Sequence, residues 1–283
     1  MQNSYPTEQL SIFHESGSGT SMASISATGG MLLDLQLGGS TLISSANIAT
    51  PLAIYMGTVL APWPNRLRDG KYELNRTGYQ FENLDAQQNL NHGLVGDREF
   101  EVDEQGESFV SLGYEFGSDP GYPFRVDLTV RYELAESELL VTALALNNEQ
   151  QATPFAIGFH PYFLVGEAFE LTGDFSQHVL TDERMLPSGA EQVNGLRYTG
   201  GPMDDCYFGS DSVLLKTAET SIEIRLGENM SHFMFYRPGL DIGDSMLAIE
   251  PMSSAANIFA DDVESVLLQP GELRRYSVRI RKQ

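Results

Sequence analysis

Basic residues are scarce in this sequence. Its 283 residues include 17 Lys and Arg against 39 Asp and Glu, which gives a net charge of −22, and no Lys or Arg precedes Arg66. A protein that binds nucleic acid presents a basic patch to the phosphates, and an anionic membrane surface repels an acidic protein. We therefore expect neither nucleic acid nor a membrane as a partner.

Long apolar runs and paired cysteines are also missing. No apolar run approaches the ~18 residues of a membrane-spanning helix, and the N-terminal region lacks the basic and apolar segments of a secretory signal. The single cysteine, Cys206, cannot form an internal disulfide, which is typical of a reducing compartment. These absences predict a cytoplasmic protein, with a secreted protein that lacks disulfides as the alternative.

The sequence also lacks the short motifs of several enzyme classes. It has no pair of closely spaced cysteines, no two histidines four residues apart and no acidic loop of the EF-hand type, so we expect no metal ion. It has neither a glycine-rich phosphate loop nor the Gly-x-Ser-x-Gly turn of many hydrolases.

What the sequence does have is a period of two. Apolar and polar residues alternate from Val126 to Leu134, and a second strand pattern runs from Leu139 to Asn148 after four intervening residues, which predicts an antiparallel hairpin. Shorter alternating segments are Met31 to Leu37, Ser221 to Leu226, His232 to Tyr236 and Tyr276 to Ile280. With 27 Gly and 13 Pro between such segments, the pattern predicts one all-β antiparallel domain over residues 1–283, a sandwich or a barrel.

Two segments place polar groups in stiff or close-packed loops. In residues 57–67, two prolines flank the only tryptophan, Trp63, and the loop leads to Arg66, whose guanidinium offers five donors. In residues 89–95, Gly93 follows His92 and permits close approach of backbone and ligand. The alternatives are a rigid turn whose arginine pairs with a surface carboxylate, and a structural histidine.

Two further segments place titratable groups among apolar residues. His160 lies among aromatic residues and prolines in residues 154–163, and Glu250 follows an apolar run in residues 246–252. Burial disfavours the charged form of each group unless it is paired, which makes both candidates for catalysis. The alternatives are a hydrogen-bonded core histidine and a glutamate that points into water at the end of its strand.

These four segments, in this order, resemble those of the aldose 1-epimerase (galactose mutarotase) family. The shared motifs are Pro64-Asn65-Arg66 with Asp69-Gly70 and Tyr72, Asn91-His92-Gly93, residues 158–163, Asp204-Asp205-Cys206-Tyr207, and Ile249-Glu250-Pro251 with Asn257 and Phe259. The resemblance covers nearly the full chain. It implies a β-supersandwich fold and the interconversion of the α and β anomers of a free aldose, without a cofactor.

The resemblance also implies roles for individual residues. Glu250 would be the general base, His160 the general acid, and His92 would assist at the ring oxygen. We expect Glu250 and His160 to favour each other's charged forms, since opposite charges in one pocket attract.

The substrate-binding residues implied are Arg66, Asn65, Trp63 and one aspartate of the pair at 204 and 205. Asp204 is preferred because the family places its aspartate three residues before an aromatic residue, here Tyr207. Trp63 or a phenyl ring could stack on the apolar face of the sugar. A small-molecule sugar is thus the expected partner, and the chain is expected to be a monomer or a weak homodimer.

The sequence leaves other functions open. The stretch Ala-Pro-Trp-Pro-Asn-Arg and the pair Glu250-Pro251 differ from the longer members of the family and indicate a shorter, bacterial-like subgroup, so the preferred sugar is not assigned. A hexose-6-phosphate 1-epimerase would need cations near the site, for which Arg68 and Arg98 are candidates. A non-catalytic carbohydrate-binding protein or a plain structural β domain would not need the Glu/His pair.

Overall fold

Strands make up most of the regular structure, which confirms the all-β prediction. The computed structural model describes residues 9–17, 19–46, 48–237 and 245–283, with about 56% strand and 5% helix. In chain order the strands are β1 Gln9–Ser16, β2 Gly19–Ser26, β3 Leu32–Leu37, β4 Ser40–Ile43, β5 Val59–Leu60, β6 Arg66–Arg68, β7 Lys71–Leu74, β8 Thr77–Gln80, β9 Asn89–Asn91, β10 Glu101–Gln105, β11 Phe109–Glu115, β12 Val126–Ala135, β13 Glu138–Asn147, β14 Thr153–Pro154, β15 Gly158–Phe159, β16 Tyr162–Leu164, β17 Phe169–Gly173, β18 Gln177–Thr181, β19 Pro187–Gln192, β20 Leu196–Tyr198, β21 Met203–Phe208, β22 Ser212–Thr217, β23 Ser221–Leu226, β24 His232–Arg237, β25 Met246–Met252, β26 Leu267–Leu268 and β27 Leu273–Lys282. The helical segments are a 3₁₀ turn at Pro51–Ile54, the short α-helix α1 at Ile258–Asp261 and a 3₁₀ turn at Val263–Val266.

Two large antiparallel sheets organise these strands. One has nine strands in the order β10-β11-β12-β13-β27-β23-β22-β17-β20, and the other follows the order β19-β18-β21-β24-β25-β15-β5, with β16 also paired to β25. The predicted hairpin is β12–β13, paired from Val126↔Asn147 to Ala135↔Glu138. Its residues alternate between buried and more exposed, so only one face of that sheet contacts the core.

The two large sheets face each other across the core. Tyr132 and Val278 of the nine-stranded sheet meet Phe159 and Pro251 of the other sheet around a small apolar void of about 20 Å³. One continuous hydrophobic cluster runs from Leu10 to Ile280 and includes residues of both sheets. This burial of apolar area is the main favourable term in folding.

Strand β25 is buried along its whole length. Its neighbours on one side are β15 and β16, two short pieces of a strand that is interrupted at His160 and Pro161. Pro251 has no N–H to donate, and a proline is tolerated in a sheet where regular pairing is broken. Gly158 pairs with Met252 and Tyr162 with Ala248, and the same register places His160 directly opposite Glu250.

Candidate active site

A cavity of about 310 Å³ opens on the face of the second sheet that carries Glu250. Six of the seven predicted site residues line it: Asn65, Arg66, His92, His160, Asp204 and Glu250. The cavity wall also includes Ala53, Ile54, Tyr55, Asn91, Tyr162, Met234 and Tyr236. Its volume is in the lower part of the ~300–1,000 Å³ range of small-molecule sites.

The catalytic candidates Glu250 and His160 form a pair at the base of this cavity. His160 Nε2 lies 3.3 Å from Glu250 Oε1, and both side chains are nearly inaccessible to solvent, at 5% and 2% exposure. The backbone holds His160 on two sides, because its N–H donates to Thr58 O (3.1 Å) and its carbonyl accepts from Gly57 N (2.8 Å). The Tyr162 ring stacks on the imidazole with centroids 5.0 Å apart.

Burial decides the protonation of this pair. Desolvation raises the pKa of Glu250 well above its usual value; the nearby Asp204 raises it further and Arg66 opposes the shift. Desolvation lowers the pKa of His160 to about 4. Desolvation therefore disfavours the charged form of both groups. The expectation that the two groups favour each other's charged forms stays a prediction.

His92 forms the wall next to this pair. Its ring meets the His160 ring edge-on with centroids 5.1 Å apart, and the Tyr55 ring lies 4.6 Å away on another side. Desolvation, then the charges of His160 and Arg66, lower the pKa of His92 well below its usual value. The residue adopts a left-handed backbone with φ of 62°, and its N–H donates to Asn65 O (2.9 Å).

Gly93 explains why the His92 loop can approach so closely. Its φ is +72°, and a Cβ built on it would lie 2.1 Å from Ala61 O. Any other residue would clash with the backbone of the 57–67 loop. The His-Gly pair in the sequence thus reflects contact between two loops that both reach the cavity.

Arg66 and Asp204 line the cavity together as an ion pair. Arg66 Nη2 lies 3.5 Å from Asp204 Oδ2, and Asn65 Oδ1 accepts from both Arg66 N (2.8 Å) and Arg66 Nη1 (3.3 Å). Desolvation raises the pKa of Asp204, while Arg66 opposes that shift. Asp205 points to the opposite face of β21, where its carboxylate contacts His178 (3.1 Å), so the structure places Asp204 rather than Asp205 in the cavity.

Trp63 is the predicted site residue that the cavity does not include. Its side chain is 1% exposed and packs against Phe81 and Phe259, with ring centroids 5.0 and 5.4 Å away. The expectation that it stacks on a sugar is therefore corrected: its ring lies in the core, and it supports the loop that leads to Arg66.

Asn257, two residues before Phe259, fixes the same segment, since its N–H donates to Arg66 O (2.6 Å) and its Oδ1 accepts from Arg68 N (2.8 Å).

Several wall residues were missed in the sequence. Tyr55, Tyr236, Tyr162 and Asn91 line the cavity but were not predicted to be site residues. Asn91 and Tyr162 lie next to or near His92 and His160 in the shared motifs, and Tyr236 ends an alternating strand segment. These residues reach the cavity because of strand and loop pairings that form only in the folded protein, so the sequence alone does not identify them.

Two negative observations concern the part of the chain that the structure describes. Within the ranges given above, no group of three or more His, Cys, Asp or Glu side chains could hold a metal ion. Over the same residues, the structure has no helix whose length and apolar character would let it cross a membrane.

Comparison with known proteins shows the family of this chain. The family model for aldose 1-epimerase matches residues 14–281, and the chain therefore belongs to the aldose 1-epimerase family. A relative at 25% identity, covering 95% of each chain, is the uncharacterized protein YihR of Escherichia coli (strain K12).

Similar solved structures show the fold. A galactose 1-epimerase from Lactobacillus acidophilus NCFM has a TM-score of 0.78 at 18% identity, with 98% of each chain covered. A GalM/aldose epimerase homologue from C. elegans has a TM-score of 0.82 at 16% identity, covering 98% of this chain and 99% of that one. A galactose mutarotase-like protein from Lactobacillus casei ATCC 334 has a TM-score of 0.80 at 18% identity, covering 98% of this chain and 100% of that one. The predicted galactose mutarotase-like fold is thus confirmed.

Proposed function

We propose that this protein is an aldose 1-epimerase that interconverts the α and β anomers of a free aldose. The observation that carries the proposal is the buried Glu250–His160 pair, 3.3 Å apart, at the base of a cavity whose wall carries Arg66 and Asp204. Mutarotation needs one base and one acid that both work in reverse, and no cofactor.

In the proposed reaction, Glu250 takes the proton of the C1 hydroxyl while His160 donates a proton to the ring oxygen. The bond between C1 and the ring oxygen breaks, which leaves an open-chain aldehyde and a new hydroxyl. After rotation about the bond from C1 to C2, the reverse transfers close the ring on the other face. His92, whose ring contacts that of His160, assists at the ring oxygen.

The pKa shifts suit this sequence of transfers. A carboxylate whose pKa is raised is a stronger base, and an imidazolium whose pKa is lowered is a stronger acid. Ring opening converts an ionised pair into a protonated Glu250 and a neutral His160, which is the state that burial favours. The reverse transfers of ring closure restore the ionised pair. The 3.3 Å separation of the two side chains allows the direct proton exchange that forms the ionised pair before the sugar reacts.

The cavity supports a neutral substrate over a sugar phosphate. Among its described lining residues, Arg66 is the one Lys or Arg side chain, and Asp204 already balances it. The two arginines considered for a phosphate site are not in the lining, and each has a carboxylate partner: Arg68 lies 3.5 Å from Asp182 and Arg98 lies 3.6 Å from Asp97.

The test is the rate at which freshly dissolved α-anomers relax, followed by polarimetry over a panel of neutral aldoses and their 6-phosphates. We expect acceleration of at least one neutral aldose and little acceleration of its phosphate. Faster relaxation of the phosphate would instead identify a hexose-6-phosphate 1-epimerase. Sugar binding with no acceleration of any member would identify a non-catalytic carbohydrate-binding protein.

A further inference from the structure

Unpartnered buried polar atoms concentrate at the cavity. Among the described residues, seven buried side-chain N or O atoms have no hydrogen-bond partner, and four of them belong to residues of the cavity wall. Three of these four are on Glu250, His160 and His92, to which the proposed reaction assigns roles. The fourth is Oδ1 of Asn91, which the reaction does not use.

Asn91 lies where a substrate-binding group would be expected. It pairs directly with Arg66 across β6 and β9, and residues opposite each other in an antiparallel ladder place their side chains on the same face. Arg66 in turn contacts Asp204. Asn91, Arg66 and Asp204 all line the cavity, with Asn91 next to Arg66 in the β6–β9 pair.

The side-chain oxygens of the other asparagines in these two strands and their entry loop have hydrogen-bond partners within the protein. Asn65 Oδ1 accepts two hydrogen bonds from Arg66. In Asn89, Nδ2 donates to Arg184 O (3.1 Å) and Oδ1 accepts from Arg184 Nη2 (3.0 Å). Native structures leave few buried acceptors unpaired. We therefore infer that the donor to Asn91 Oδ1 comes from a ligand in the cavity that Asn91 lines.

We propose that Asn91 is a specificity-determining residue whose carboxamide hydrogen-bonds one hydroxyl of the bound sugar. This inference rests on the proposed function, since it takes the ligand to be an aldose. A guanidinium only donates and a carboxylate only accepts, whereas a carboxamide does both, as a hydroxyl does. The Arg66–Asp204 pair thus suits one hydroxyl of the sugar, and Asn91 suits a neighbouring hydroxyl. Asn91 therefore selects sugars that carry this neighbouring hydroxyl.

The experiment pairs an Asn91→Leu variant with a set of monodeoxy sugars. Wild type and variant are compared on an aldose that the wild type turns over and on its analogues lacking one hydroxyl each. We expect a fall in kcat/KM of about tenfold or more for the variant on the parent sugar, because a buried hydrogen bond is lost. One deoxy analogue should show the same fall with the wild type and no further fall with the variant. Asn194→Leu, which changes an exposed asparagine outside the cavity lining, is the matched control.

The same comparison is made for binding, by calorimetry, in proteins that also carry Glu250→Gln. This separates the inference from the proposed reaction. If the effects of Asn91→Leu and of removing one hydroxyl are coupled in binding, but the wild type turns over no sugar, the proposed epimerase is refuted and the assignment of Asn91 stands. The assignment would be overturned if, for every analogue, the loss caused by Asn91→Leu simply multiplied the loss caused by the missing hydroxyl. It would also be overturned if no sugar in the set bound. A merely structural role for Asn91 cannot produce coupling to a single hydroxyl.

Discussion

Replacing Glu250 with Gln should change activity and stability in opposite directions. The substitution keeps the shape of a side chain that is 2% exposed and removes its ability to take a proton. A general base contributes ~10²–10⁴-fold to rate, which corresponds to about 2.7–5.4 kcal/mol of transition-state stabilisation at ~1.36 kcal/mol per factor of ten. We therefore expect kcat to fall by at least two orders of magnitude.

Stability should rise in the same variant at neutral and alkaline pH. Burial raises the pKa of Glu250 well above its usual value of 4.5, so below pH 4.5 the carboxyl is protonated in both folded and unfolded chains and costs nothing. As the pH rises above 4.5, the unfolded chain ionises while the folded chain resists, and stability is lost until the folded pKa is passed. Each unit of that shift is worth ~1.36 kcal/mol, and a neutral glutamine avoids the loss.

The assays are polarimetry for the rate, and denaturant unfolding at pH 4.5 and pH 8 for the free energy of unfolding. Glu219→Gln, at an exposed glutamate, is the matched control and should match wild type in both. Wild-type kcat in Glu250→Gln would refute the role of general base. A variant no more stable than wild type at pH 8 would refute the argument that burying this carboxyl costs free energy.

Three further predictions concern the same cavity and its support. The pH profile of kcat should be bell-shaped. Its acid limb should lie near pH 4, where both Glu250 and His160 are protonated and the base is lost, and its alkaline limb should lie at the raised pKa of Glu250, where the acid is lost. A flat profile from pH 3 to 10 would contradict the assignment of Glu250 and His160 as base and acid. Arg66→Lys keeps the charge beside Asp204 but loses the planar fork, so KM should rise about tenfold with Tm nearly unchanged, and an unaltered KM would argue against contact with substrate. Trp63→Phe should lower the free energy of unfolding by about 1–3 kcal/mol and leave KM unchanged, since the ring is core; a raised KM with normal stability would restore it to the sugar site.

The alternation of apolar and polar residues along the sequence was sufficient to predict the all-β architecture. The alternation of Val126 to Leu134 is sufficient to predict the β12–β13 hairpin, because only a strand with one buried face repeats every two residues. The family resemblance brought six cavity residues together from distant segments. It also misplaced Trp63, because tryptophan next to a binding arginine suits a sugar platform and a core anchor equally well in sequence.

The sequence by itself determined an acidic, antiparallel β protein of the aldose 1-epimerase family and the residue types of its site. Tertiary structure decided the geometry. The register that sets His160 opposite Glu250 arises from strand pairings on both sides of a break at Pro161, and the place of Asn91 beside Arg66 arises from pairing of two short strands. Tertiary structure also decided the charge state of the Glu250–His160 pair, since a pKa depends on how much water surrounds a group, and burial is a property of the whole fold.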